Sequence, residues 1–314
     1  MSKSVSASET KKKSSLDYPL LAKKLIEASG DAGISKLPAG LYIVATPIGH
    51  LGDITMRGLI TLLSADLIAC EDTRTSGAML SKFGIKQKLI SYHDHNADGR
   101  RPELLAHLNE GKAVALISDA GMPLIADPGY KLVHACREEG IDVFVIPGPS
   151  AAITALAGSG LPTDHFYFAG FLPSKSTGRK KALAGLSVVP ATLVFYEAPQ
   201  RLKETLRDMA EILGPVRKAA IARELTKLFE ETKCGKLGEL SEFYLDHDVK
   251  GEIVIVVEPP AEAVATEQDL DDVLRTYLRS MSVRDASAAA CAVTGISKSE
   301  VYARALWLAG KNSG

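Results

Sequence analysis

Seven acidic side chains fall at the ends of predicted elements: Glu71, Asp72, Asp119, Asp127, Glu224, Glu230 and Glu231. As a group they suit a cationic ligand or a general base. Singly, each would serve as well to cap a helix or to pair with Arg74, Arg223 or Lys227. The loop TPIGHLGD follows a predicted strand and precedes a helix, as a dinucleotide loop would, yet it lacks the G-x-G-x-x-G spacing. NAD is thereby disfavoured, and a P-loop is excluded because no G-x-x-x-x-G-K-[ST] occurs in the chain. His93 and His95 would place two imidazoles on one strand face, but no further ligand stands near them in sequence. A loop or substrate contact is the better reading, and no metal is expected. Ser150, after Pro147-Gly148-Pro149, lacks the G-x-S-x-G elbow and reads as a helix N-cap.

The elements that must position these residues are legible from residue 41 onward. Strands LYIVAT, DLIAC, KLISY, AVALIS and DVFVI alternate with helices near Ile54–Leu63, Ser76–Phe83, Arg101–Glu110, Tyr130–Glu139 and Ala151–Ala157. Strands this uniformly aliphatic are buried on both faces, and the alternation predicts a parallel sheet with right-handed crossovers. Loops at the strands' carboxyl ends then hold the ligand, the long one from Asp119 to Gly129 above all. From Leu161-Pro162 the spacing becomes uneven. Strands at Phe166–Phe171, Ala191–Tyr196, Lys218–Arg223, Glu230–Lys233 and Glu252–Glu258, with helices at Gly178–Leu186, Pro199–Leu213 and Leu237–Tyr244, predict a second α/β domain. Its sheet must be mixed, because several connections are too short for a crossover helix. A cleft between the two domains is the expected ligand site.

After Pro259-Pro260 a polar linker leads to a helical tail. Leu270, Val273, Leu274, Tyr277 and Leu278 share one helical face, Thr294-Gly295-Ile296 is a turn, and Ser297-Lys298-Ser299-Glu300 is a capping box. Helix, tight turn and capped helix make a helix-turn-helix signature, which a dimer-forming trihelical unit would share. Residues 1–15 are too polar to bury a core and are expected to be disordered, and Tyr18–Ser29 has the pattern of a short amphipathic helix.

Composition narrows the class further. The 314 residues are 46% hydrophobic with a net charge of −1, enough for two domains and an appendage. Near-neutrality hides the basic clusters Lys11-Lys12-Lys13 and Arg179-Lys180-Lys181, so a nucleic-acid partner stays open. Cys70, Cys136, Cys234 and Cys291 are isolated, which favours a reducing compartment. No apolar run reaches bilayer length and the N-terminus lacks an apolar signal core, so a cytoplasmic protein without membrane contact is expected.

The ordered stretches ATPIGHLGDIT, CEDTRTSG, SDAGMPLIADPG, VIPGPSAAITAL, FAGFLP, FYEAPQRL, ARELTKLFEE and KGEIVIVVEPP resemble the tetrapyrrole methylase family, and within it the bacterial 16S ribosomal RNA cytidine 2′-O-methyltransferases. The resemblance spans roughly residues 41–260, and the tail is similar too. It departs at His50, where Asn is common, and at Met122, where Thr is common. It implies a two-domain tetrapyrrole-methylase-like α/β fold with these limits: an extension at 1–37, a first methylase domain at 38–158, a second at 159–260 and a helix-turn-helix-like domain at 266–312. It also implies S-adenosylmethionine in the cleft, a homodimer, and methylation of a cytidine 2′-hydroxyl in the decoding region of 16S ribosomal RNA, in the small ribosomal subunit. Carried over by motif, the cofactor contacts are Pro47, Ser118, Asp119, Gly121, Met122, Ile125, Ser150 and Ala151 from the first domain, and Tyr196, Ala198, Pro199, Ala222, Arg223, Gly251 and Glu252 from the second. The candidate bases are Asp72 and Glu230, with Arg74, Lys227 and Arg201 orienting substrate. Lys175, Arg179, Lys180 and Lys181 are candidate phosphate contacts. A porphyrin-type or diphthine-type methylase of the same fold and a non-catalytic RNA-binding factor are the alternatives; the RELTKLFEE and FYEAPQR stretches and the helical tail argue for RNA.

Overall fold

A computed structural model describes residues 17–20, 23–24, 36–261, 267–294 and 296–311. The expected disorder of residues 1–15, most of the helix expected at 18–29, the linker centre and the turn residue at 295 lie outside the described residues. The chain divides into two compact units, one through Glu258 and one from Pro259. Among the described residues no helix is long and apolar enough to cross a membrane.

The first unit holds two sheets. In the first, β1 (Gly40–Val44), β2 (Leu67–Cys70), β3 (Leu89–Ser91), β4 (Ala113–Ile117) and β5 (Val143–Ile146) stand in the order β3-β2-β4-β1-β5, all pairs parallel. Helices α1 (Met56–Ser64), α2 (Thr73–Lys82), α3 (Ala97–Asn109) and α4 (Tyr130–Glu138) connect them. β1, β2 and β4 are buried along their whole length, as their unbroken aliphatic runs require. Alternate residues of one strand feed two cores: Tyr42 and Val44 pack with Leu62 and Ile68, whereas Leu41 and Ile43 pack with Leu104 and Leu132.

The second sheet joins β6 (Phe166–Phe171), β7 (Thr192–Glu197), β8 (Lys218–Arg223), β9 (Glu231–Lys236) and β10 (Ile253–Val257) in the order β6-β7-β10-β8-β9. Only β6 and β7 run parallel, so the sheet is mixed as the short connections demanded. Helix α5 (Ala151–Gly158) lays Ala152, Ala155 and Leu156 on Val194, Ala220 and Val254 of this sheet. Its near-absence of polar residues follows from that burial. The opposite face carries α6 (Ser176–Leu186), α7 (Leu202–Leu213) and α8 (Leu237–Leu245), whose Leu183, Leu206 and Leu240 pack with Phe195 and Ile255.

Several boundaries differ from expectation for local reasons. Helix α2 starts at Thr73 rather than Ser76 because the Asp72 carboxylate accepts the Arg74 N–H at 2.8 Å and caps it there. Helix α3 starts at Ala97 rather than Arg101, since the N–H groups of Asn96 and Ala97 already turn back onto the His93 carbonyl, each at 2.9 Å. Strand β9 runs from Glu231 to Lys236, not 230–233, because every residue of it has a register partner on β8.

In the second unit α9 (Glu267–Tyr277), α10 (Val283–Thr294) and α11 (Lys298–Lys311) enclose Leu270, Leu274, Ala290, Val301 and Ala305. The Ser297 hydroxyl accepts the Glu300 N–H at 3.4 Å, the first half of the capping box read from the sequence, and the Glu300 carboxylate accepts from that hydroxyl at 2.7 Å rather than from the Ser297 N–H.

Candidate active site

A cavity of about 390 Å³ opens where the carboxyl ends of β4 and β7 meet the start of β10. Parallel strands that all stop at one edge leave their loops free to build such a site. The loop after β4 is pinned to the end of β1 by a two-bond bridge: Thr46 N–H to Gly121 O at 2.9 Å and Gly121 N–H to Thr46 O at 3.0 Å. The Thr46 hydroxyl donates to the Ser118 carbonyl, and the Ser118 hydroxyl to that of Ala120, both at 3.2 Å. Leu124 (φ 72°) and Ala126 (φ 66°) are held in the left-handed region, a conformation that survives only where surroundings over-determine it.

The far wall depends on the loop after β8. Glu224 (φ 51°) and Thr226 (φ 63°) are left-handed as well. Lys227 Nζ bridges Glu224 and Glu252 at 2.9 Å each, and the Thr226 hydroxyl accepts the His50 N–H at 3.0 Å. The Lys227 partner holds the Glu224 carboxyl below the usual range. Gly251, at φ 90°, admits no side chain: a β-carbon would stand 2.1 Å from Glu224 Oε1. Glu252 is tied to the same residue, its N–H donating to Glu224 Oε1 at 3.2 Å and its carbonyl accepting the Glu224 N–H at 3.0 Å.

The lining carries carboxylates and no cationic side chain. Glu71, Asp119, Asp127, Glu197 and Glu252 share it with Ile48, Met122, Ile125, Phe171, Tyr196 and Pro199. Glu197 is buried and neutralised by Arg201 Nε at 3.2 Å. Burial, and then the neighbouring carboxylates, push Glu71 and Asp127 above the ordinary carboxylate range, although the Ser118 hydroxyl offsets part of the effect at Asp127. Burial likewise raises the Tyr196 phenol. Such a donor set repels phosphates and suits a ligand carrying positive charge beside an apolar body. A sulfonium cofactor with an α-ammonium and an adenine ring has that chemistry, so the residues present fit S-adenosylmethionine.

A second, more open basin of about 520 Å³ shares Glu71 and Asp119 with the cavity and continues over Asp72, Arg74, Ser91 and His93. Arg74 grips Asp72 through Nε at 3.2 Å and Nη2 at 2.8 Å, and those hydrogen bonds lower the Asp72 carboxyl to about 2.

Residues 40–241 match the family of Tetrapyrrole (Corrin/Porphyrin) Methylases. The chain belongs to the tetrapyrrole methylase family. Residues 264–309 match the RsmI C-terminal HTH domain. This tetrapyrrole methylase is similar to the ribosomal RNA small subunit methyltransferase I of Mesorhizobium japonicum, 50% identical over 88% of this chain and 96% of that one. The protein of the same name from Escherichia coli O157:H7 is 47% identical over 85% and 94%. The fold of this chain is shared by uroporphyrin-III C-methyltransferase from Thermus thermophilus complexed with S-adenyl homocysteine, with a TM-score of 0.52 and 18% identity over 70% of this chain and 97% of that one.

Of the residues that motif matching proposed for this methylase's cofactor, the structure gathers eleven around the cavity: Asp119, Gly121, Met122, Ile125, Ser150, Ala151, Tyr196, Ala198, Pro199, Gly251 and Glu252. Pro47 and Ser118 lie buried behind the wall. Ala222 is in the core under α5, and Arg223 turns to Glu231 at 2.9 Å. Ile48, Phe171 and Glu197 line the cavity unannounced, although FAGFLP and FYEAPQRL contained two of them. Glu230 lines neither space; its carboxylate accepts the Thr226 N–H at 2.8 Å and closes its own loop. Arg201 is committed to Glu197 and the Leu172 carbonyl.

One group of the expected phosphate contacts is corrected outright. Arg179 has no solvent-exposed surface: Nε donates to Asp208 at 2.7 Å and Nη1 to the Ser174 carbonyl at 3.2 Å. The RKK run is amphipathic rather than uniformly solvated. Lys180 leans on Glu211 at 2.6 Å, and Lys175 and Lys181 remain exposed.

Proposed function

We propose that this chain methylates the 2′-hydroxyl of a cytidine in the decoding region of 16S ribosomal RNA, acting as a homodimer on the small ribosomal subunit. It is an S-adenosylmethionine-dependent ribosomal RNA methyltransferase, as its family and its relatives of 41–50% identity have it. The observation that carries the finer reading is the pairing of an acidic, half-apolar cavity with an open basin across one shared carboxylate wall. A helix-turn-helix-type tail favours RNA over a porphyrin ring as the acceptor. Large apolar side chains left exposed on the two outer strands, Val145 on β5 and Phe166 and Tyr167 on β6, support a second copy as partner.

When bound, the cofactor supplies a methyl group already activated by its positive sulfur. The protein's part is to align and to manage a proton. The carboxylates of the cavity balance the ligand's charge, the Thr46–Gly121 bridge holds the floor, and the Lys227 bridge holds the wall. Arg74, 91% exposed at the basin's rim, is placed to meet a phosphate oxygen of the substrate strand.

Small subunits lacking the modification, incubated with the protein and isotope-labelled S-adenosylmethionine, are the decisive substrate. Nucleoside mass spectrometry is expected to show labelled 2′-O-methylcytidine; label only on a base, or none, would overturn the reading.

A further inference from the structure

Two side-chain features at the shared wall remain unused. The first is His93. Asn96 Oδ1 accepts the His93 backbone N–H at 2.9 Å, which fixes the orientation of the Asn96 amide, so its Nδ2 donates to His93 Nε2 at 3.2 Å. That hydrogen bond consumes the Nε2 lone pair and leaves the proton on Nδ1. Yet His93 Nδ1 is buried and has no partner. The ring lines the basin, and a small rotation that carries Nδ1 to the surface would let a ligand oxygen satisfy this otherwise costly donor.

The second is Glu71. It lines both spaces. The other candidate bases are engaged or lie outside the basin: Asp72 is held by Arg74, Asp119 by the Asp72 N–H at 3.2 Å, Glu224 by Lys227 and Glu230 by the Thr226 N–H, while Asp127 lines only the cavity. Among the described residues the Glu71 carboxylate has no hydrogen-bond donor, so both of its oxygens are available as acceptors.

We propose that the open basin is the acceptor-nucleoside subsite, that Glu71 takes the proton of the attacking hydroxyl, and that His93 donates from Nδ1 to an oxygen of the same nucleoside. This rests on the reading of the chain as a ribose methyltransferase. The oxygen keeps the O–H electron pair and uses it for the new bond to the methyl carbon, while the pair of the broken carbon–sulfur bond stays on sulfur. The proton converts the Glu71 carboxylate to the acid and leaves to water through the open basin. The groups facing Glu71 are Asp119 and Asp127 from the loop after β4, and His93 and Asp94 from the loop after β3. Burial first, and then these three carboxylates, raise its proton affinity. Asp72, held near 2 by Arg74, is a far weaker base.

The test uses the full chain and small subunits. Glu71→Gln is expected to bind subunits in a filter assay within about threefold of the parent, and calorimetry of its S-adenosylmethionine affinity sets the cofactor concentration at which both proteins are saturated. Single-turnover methylation by Glu71→Gln should then fall by about 10²- to 10⁴-fold and lose the rising limb of its pH profile. In the cofactor-free parent, carboxyl carbon NMR should show one glutamate titrating above the usual range that is missing from Glu71→Gln. His93→Ala is expected to weaken subunit binding about tenfold with unchanged cofactor affinity, the worth of one hydrogen bond to a buried donor. A Glu71→Gln rate within fivefold of the parent, or a Glu71 carboxyl titrating in the ordinary range, would overturn the proposal. If the parent itself makes no 2′-O-methylcytidine, it is the underlying reading that has failed.

Discussion

Replacing Arg179 by Met separates a structural charge from an RNA contact. The guanidinium has no exposed surface and its partner Asp208 is 1% exposed, so the substitution leaves a carboxylate in the interior with only the Ser176 hydroxyl at 2.9 Å and the Lys180 ammonium at 3.9 Å. Breaking a buried pair from one side costs about 3–5 kcal/mol. The residual Lys180 attraction places the expected loss at the lower end, about 3 kcal/mol. For a unit of this size each kcal/mol moves the melting temperature by about 2–4 °C, so calorimetry of the full chain should show its main transition fall by about 6–12 °C. The double variant Arg179→Met/Asp208→Leu removes the stranded charge and should recover most of that loss. Affinity for RNA and its salt dependence should stay unchanged in the folded variants. A single variant within about 1 kcal/mol of the parent, with a flatter salt slope, would refute the burial argument and return Arg179 to the RNA interface.

Lys175→Ala with Lys181→Ala is expected to lower the log–log salt slope of subunit binding by about one to two, and an unchanged slope removes this helix end from the interface. Gly251→Ala should lower stability by about 1–2 kcal/mol through left-handed strain and, because Glu224 and the Lys227 bridge to Glu252 must shift, weaken S-adenosylmethionine binding in calorimetry; parental affinity would show that the wall accommodates the shift. Glu71 has a raised folded pKa, so the folded state binds the extra proton and stability falls as pH rises from the usual glutamate range through that value. Glu71→Gln should accordingly melt no lower than the parent at neutral pH, with the difference vanishing below the ordinary glutamate range; a lower melting point at neutral pH contradicts the sign. Asp72 is the opposite case, its stabilisation present above the ordinary aspartate range and lost as pH falls through about 2. The melting difference between parent and Asp72→Asn should close over that interval, and a constant difference would show that the Arg74 pair is not its source.

The fold was legible where burial acts on contiguous residues. LYIVAT, DLIAC and AVALIS became strands because both faces of a parallel sheet are covered, and the apolar α5 because it is sandwiched against the second sheet. Cofactor-cavity residues carried over by motif were largely gathered, since small residues such as Gly121 and Gly251 leave their mark as loop signals. What stayed hidden depends on partners distant in sequence. Nothing near Arg179 announces Asp208 on another helix, so a buried pair read as a solvated run. Arg74 was visible two residues after Asp72 as a possible partner, but its choice of Asp72 over Glu71 depends on how helix α2 begins, and the opening of Glu71 onto the cavity depends on loops distant in sequence.

The strand order sets a schedule for the nascent chain. Leu41 of β1 pairs with Val114 of β4 and Val143 of β5, and β1 makes no pair with β2, the next strand made. The first strand off the ribosome therefore waits about a hundred residues for its second neighbour, about 5–20 s at ordinary rates of synthesis. Until β4 emerges GLYIVA is an apolar, β-forming segment with both edges open, and one edge stays open until β5 follows, while β2 and β3 can already meet. The cofactor floor, hung from the end of β1 by the Thr46–Gly121 bridge, can therefore close once the loop after β4 emerges, while the outer edge of β1 stays open until β5 is made.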